Sequence, residues 1–322
     1  MVKRQKMDLL SRAWFLIVIF KAYKNNLRIM YRDFDLENLE REYSPSSCVE
    51  DIEVFIQAYC QMSQQTLKHA KQNEKVLTDL AYGHSASHVL DLFLPDDNTK
   101  PQKKLHVYIH GGYWQELSKN ESCFAANNFQ RHGYHFAVLD YTLAPHASLS
   151  EIVKECQQAL AWLFQHADKY GYDQDEIYLS GSSAGGHLAM MMALTDWSKL
   201  FDCPSQIING ICAVSGIYDL TPIQQTYINK PLQLTQSDID NNSPLLMEIN
   251  TAHVKQCQIT LAYGENETSE FKRQTQAMQQ LLQSHAISTS CQEIAKRNHF
   301  DVILDLANSQ SWLFQQVQQQ MT

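Results

Sequence analysis

Residues 181–185 read Gly-Ser-Ser-Ala-Gly, a Gly-x-Ser-x-Gly pentapeptide centred on Ser183. The apolar run Ile177, Tyr178, Leu179 precedes it, and the helix-like run Leu188 to Leu194 follows it. A strand, a sharp turn and a helix in that order hold the central serine on a strained elbow with its hydroxyl exposed. The flanking glycines allow the unusual backbone angles of the turn and the close passage of helix against strand. Ser183 is therefore a candidate nucleophile, and the chain around it must supply a sheet.

It does so in alternation. Residues 87–94, 105–109, 134–141, 210–216, 258–263 and 287–294 read as strands, with helices over about 52–70, 148–171 and 268–284 and a last one to about 317. Ser47 with Glu50, and Ser148 with Glu151, read as capping boxes. Strands that are continuous apolar runs between helices imply a mostly parallel sheet covered on both faces, an α/β fold. Residues 217–256 are irregular, Gln- and Asn-rich and punctuated by Pro222, Pro231 and Pro244, as expected of a lid or pocket wall.

With 322 residues and 44% hydrophobic content, the chain suffices for one large domain, expected over 30–322. A net charge of −9 and the lack of a basic stripe argue against a nucleic-acid partner. The eight cysteines form no Cys-x-x-Cys pair, which points to free thiols in a reducing compartment, the cytoplasm. His84 and His88 have i, i+4 spacing but no adjacent carboxylate, so no metal site is expected. Residues 1–29 stand apart. Basic residues lead into the apolar run 13–20, which is too short to span a bilayer and has no small-residue cleavage site after Phe20. They read as an amphipathic extension or a misplaced start before Met30, and no stable membrane insertion is expected. A homodimer is compatible with the chain, but no residue pattern specifies it.

Acyl transfer by serine needs a base, an acid to orient the base, and donors for the oxyanion. His110-Gly111-Gly112 follows the 105–109 strand, so the Gly111 and Gly112 amides, with that of Ala184, are candidate oxyanion donors. His299 lies just before the apolar-periodic residues of the last helix and is the candidate base. His187, four residues after the nucleophile, reads as packing or pocket lining. For the acid, Glu265, Glu267 and Glu270 all follow the 258–263 strand, and spacing alone does not choose among them.

With these pieces in place the chain resembles the kynurenine formamidases (arylformamidases), a family of α/β-hydrolases, over most of 30–318. The resemblance rests on His110-Gly111-Gly112-Tyr113-Trp114, where lipase-like esterases usually carry a third glycine at the position of Tyr113. It rests also on Tyr43 to Ser46, Ser215 to Leu220, Glu270 to Gln274 and His299-Phe300-Asp301. It implies an α/β-hydrolase fold, Glu267 as the acid where some members have Asp, and no metal or organic cofactor. The implied small-molecule substrate is N-formyl-L-kynurenine, cleaved to L-kynurenine and formate. Tyr113 and Trp114, with His110 and His187, become candidates for the aryl pocket, core packing being the competing reading. A carboxylesterase of broad aryl or short-acyl specificity is the alternative function, and a non-catalytic binding protein a third.

Overall fold

Eight strands form one sheet in a computed structural model that describes residues 31–322. They are β1 (Val76–Ala81), β2 (Val89–Phe93), β3 (Leu105–Ile109), β4 (His135–Leu139), β5 (Ile177–Ser182), β6 (Gly210–Val214), β7 (Gln258–Asn266) and β8 (Thr289–Asn298). The spatial order is β1-β2-β4-β3-β5-β6-β7-β8. β1 pairs with β2, and β2 with β4, antiparallel; every other pairing is parallel. The structure is thus the α/β arrangement expected from the alternating runs. The basic stretch 1–29 lies outside the described residues. Among those described, no helix is long and apolar enough to cross a membrane.

Each residue of β3, β4, β5 and β6 is buried, which explains why these strands read as mostly continuous apolar runs. The principal helices are α1 (Glu53–Gln72), α2 (Ala126–Arg131), α3 (Leu149–Gln165), α4 (Ala184–Ala193), α5 (Ser269–Ser284) and α6 (Trp312–Gln320). The pleat sorts them onto two faces. Ile177 and Leu179 share a core with Leu160 of α3, Leu188 of α4 and Met278 of α5. Tyr178, between them, points to the opposite core with Phe129 of α2 and Phe314 of α6.

The Ser148–Glu151 capping box forms at the start of α3, with the Glu151 carboxylate accepting the Ser148 amide at 2.8 Å. The Ser47–Glu50 pair does not. Pro45 opens a 3₁₀ turn over Pro45–Cys48, and α1 begins only at Glu53, whose amide donates to Asp51 Oδ1 at 2.9 Å. The single last helix expected after His299 is two elements, a 3₁₀ segment Val302–Ala307 and then α6. β1 is an additional strand, half exposed along its length. Residues 217–256 hold short helical segments, among them Asn229–Leu232 and Gln236–Asn242.

Candidate active site

The carboxyl ends of the parallel strands converge on one cleft, the usual ligand position in an open α/β sheet. Gly111 follows β3, Ser183 follows β5, Ser215 follows β6, Glu267 follows β7 and His299 follows β8.

At the elbow, Ser183 adopts φ 57°, ψ −120°, a conformation that costs on the order of 1–3 kcal/mol for a side-chain-bearing residue. The surroundings enforce it. A Cβ on Gly181 would lie 2.3 Å from the Gly185 carbonyl oxygen, and one on Gly185 would lie 2.1 Å from that of Ile109. The Ser183 amide donates to Val214 O at 2.9 Å, tying the turn to the next strand. Ala184 opens α4, so its amide has no intrahelical acceptor. The parallel register pairs Ile109 with Gly181, which brings Gly111 alongside the elbow. Among the described residues neither the Gly111 nor the Gly112 amide donates to a protein acceptor. These amides are thus uncommitted within the protein, and α4 carries its positive end at Ser183.

The loop carrying those glycines is pinned from behind. Lys119, almost completely buried, places Nζ 2.9 Å from both Asp79 and Asp91. Its amide donates to Asp140 Oδ1 at 2.5 Å. Burial raises the Asp140 carboxyl to about 6.

Of the three candidate acids, the geometry brings one to His299. Glu267 Oε2 accepts from His299 Nδ1 at 2.9 Å, and both side chains are buried. Its other oxygen, Oε1, accepts from the Ser215 hydroxyl and the Gly264 amide, each at 2.6 Å. Glu265 turns away and accepts from the Lys296 amide. Glu270 is buried against Arg273 and Tyr43. With Nδ1 donating to Glu267, His299 Nε2 is left as the acceptor. Ser183 and His299 border the same cavity without a direct hydrogen bond between them. Such contacts commonly close only when substrate is bound.

The cavity measures about 250 Å³. Its walls include Tyr59, Tyr108, Phe124 and Phe300, with Gly111, Gly112 and Tyr113 on the β3 side. Glu116 and Glu121 line it, and among the described residues no Lys or Arg does. At its edge Ser44 and Tyr227 exchange a hydroxyl–hydroxyl bond of 2.9 Å.

Tyr113 is therefore at the cavity, whereas His110, Trp114 and His187 are not. All three are fully buried and belong to the packing behind it. His110 stacks on Tyr141 with centroids 4.2 Å apart, and His187 meets the Asn242 carbonyl at 2.7 Å. Burial lowers each of these imidazoles to about 4. Ser215, Tyr59 and Phe124 were not singled out as site residues from sequence. Ser215 stood only within a matching segment, Tyr59 fell within the helix expected over about 52–70, and Phe124 lies outside every element read from the sequence. Among the described residues no group of three or more His, Cys, Asp or Glu could hold a metal.

Known proteins match this chain over most of its length. The BD-FAE family model matches residues 90–280. Kynurenine formamidase of Danio rerio is 32% identical over 282 residues, covering 86% of this chain and 94% of that protein. The chain belongs to the BD-FAE family and to the kynurenine formamidases. Kynurenine formamidase of Drosophila melanogaster is more distant, 25% identical over 84% of the chain and 93% of its own length. Esterase LipC of Mycobacterium tuberculosis is 31% identical, but over only 42% of the chain and 35% of that protein. The fold of this kynurenine formamidase family member also resembles a crystal structure of a putative thioesterase from Silicibacter, with TM-score 0.73 and 24% identity. That match covers 85% of this chain and 97% of the other.

Proposed function

We propose that the chain is a serine-dependent arylformamidase that hydrolyses N-formyl-L-kynurenine to L-kynurenine and formate. The observation that carries this reading is the meeting of Ser183 and His299 at one aromatic-walled cavity, with Glu267 holding Nδ1 of the histidine. Membership of the kynurenine formamidases over nearly the full length of the relatives supports the substrate. His299 Nε2 takes the Ser183 proton as the hydroxyl oxygen attacks the formyl carbon. The Gly111, Gly112 and Ala184 amides receive the oxyanion; one such donor is typically worth on the order of 10²–10³ in rate. The C–N bond breaks as His299 returns the proton to the arylamine nitrogen. Water, deprotonated by His299, then attacks the formyl-serine ester, and Ser183 leaves with its proton restored. Every step uses groups of this chain. Glu116 and Glu121 favour the substrate's ammonium, while the rings of Tyr59, Phe124 and Phe300 suit its aryl ketone.

Tyr227 and Ile228 of the cavity belong to the 217–256 segment, which supports reading that segment as a pocket wall. The eight cysteines are all free, which supports a cytoplasmic enzyme. The alternative, a broad carboxylesterase, shares the chemistry and differs in the pocket. Comparison of kcat/KM for N-formyl-L-kynurenine and p-nitrophenyl acetate separates the two. The formamide is expected to be preferred, and an ester preference of orders of magnitude would overturn the substrate named here.

A further inference from the structure

We propose that Ser215 is a positioning residue for the acid, and that its hydroxyl is what makes a glutamate serviceable at position 267. The inference rests on the serine-hydrolase reading of the site. A glutamate has one more rotatable bond than an aspartate, so its carboxylate must be held if it is to orient an imidazole. Here each oxygen has its own task. Oε2 faces His299 at 2.9 Å, and Oε1 receives the Ser215 hydroxyl and the Gly264 amide at 2.6 Å each. Two short bonds to one oxygen fix the plane of the carboxylate and leave the other oxygen for the base.

The position of Ser215 is built for this contact. It is the first residue after β6, adopts φ 50°, and donates its amide to Ala262 O at 2.8 Å. The β6–β7 register pairs Val214 with Ala262 and so sets Ser215 beside the second half of β7, which runs on to Asn266 and the Glu267 turn. Ser215 is fully buried and does not border the cavity, so it acts through Glu267 and not on substrate. The side-chain hydroxyl makes that contact, since the backbone amide of Ser215 is already committed to the sheet.

A double-mutant cycle tests the assignment, read by the rate at which a fluorophosphonate labels Ser183, which requires no formamide substrate. Ser215→Ala is expected to slow labelling by about tenfold, the scale of a lost hydrogen bond to a charged group. In a Glu267→Ala background the same change is expected to alter the rate by less than about twofold, because the oxygen it served is gone. In steady state kcat for the formamide falls while KM stays. Ser215→Cys keeps the volume with a weak donor and carries the same test should the alanine variant fail to fold. Equal slowing in both backgrounds would reduce Ser215 to a packing residue and overturn the proposal, as would unchanged labelling of Ser215→Ala. Failure of the wild-type protein to label is a separate outcome; it would remove the serine-hydrolase reading and this assignment with it.

Discussion

The side chain at position 183 is presented by backbone strain, and the strain is sustained by glycines with no room for a Cβ. Its chemistry then depends on what His299 can accept and on what Glu267 holds in place. Ser183→Ala is expected to lower kcat by roughly 10⁴–10⁶ with substrate binding largely retained, a loss that steady-state kinetics on the purified variant would register. Glu267→Gln is expected to cost less than Ser183→Ala but far more than Glu265→Gln, because Glu265 only receives the Lys296 amide. A larger loss from Glu265→Gln would mean that the acid is misassigned. Ser183 and His299 were readable from their flanks, since a strand–turn–helix pattern and a pre-helical histidine are local signals. The acid was open among three glutamates by spacing and was singled out only through family resemblance; the geometry places the same residue against His299. Ser215 could not be read. Its bond to Glu267 spans 52 residues and depends on the register of two neighbouring strands.

At the level of elements, the segment before α1 acts as a strap across the end of α5. The Tyr43 hydroxyl donates to Glu270 at 2.8 Å and accepts from Gln274 at 2.6 Å. Thr268 donates to the Glu42 carbonyl at 2.6 Å, next to Glu267, the proposed acid. The strap continues to Ser44, Pro45 and Ser46 on the cavity wall. Tyr43→Phe leaves buried Glu270 and Gln274 short of a partner and is expected to destabilise the protein by about 1–3 kcal/mol, measurable by urea unfolding. It should also raise KM more than it lowers kcat, because it loosens the wall and leaves Ser183, the proposed nucleophile, in place.

The elements themselves were legible in proportion to their burial. β3 and β5 are buried throughout and mostly apolar because both faces are covered, and their Leu, Ile, Val and Tyr residues carried that signal despite His106 and Ser180. β1, with Thr78 and Asp79 inside a half-exposed edge strand, carried no such run. The two capping boxes show the limit of local patterns. Ser148–Glu151 forms, with both reciprocal bonds of the box in place. Ser47–Glu50 did not, because Pro45 opens a 3₁₀ turn and Asp51 supplies the acceptor for the Glu53 amide. The two clusters of ring side chains near Ser183 divided in the same way. Trp114 and His187 are close in sequence to candidate site residues but face the core, while Tyr59 and Phe124 reach the cavity from other elements.

Across the whole molecule, buried histidines set the response to acid. Burial lowers His106 to about 3 and His110, His135 and His187 to about 4. An unfolded chain, with imidazoles near 6.5, binds more protons than the folded one between about pH 4 and 6.5. Stability from these four groups is therefore complete above about pH 6.5 and is lost as pH falls through that window. Asp140, raised to about 6, works in the opposite direction between about pH 4 and 6, but it is one group against four. The urea midpoint is expected to hold from pH 7.5 to about pH 6.5 and to fall from there to pH 5. Asp140→Asn is expected to gain on the wild type as pH rises from 4 to 7, since it removes a carboxyl whose ionisation the fold opposes.

The reaction assigned to this architecture is tested most directly by turnover of N-formyl-L-kynurenine, with kynurenine and formate both quantified for the wild-type protein and for Ser183→Ala. The account predicts equimolar kynurenine and formate from the wild type and a loss of at least about 10⁴ in the variant. No turnover by the wild type, or equal turnover by both proteins, would contradict it.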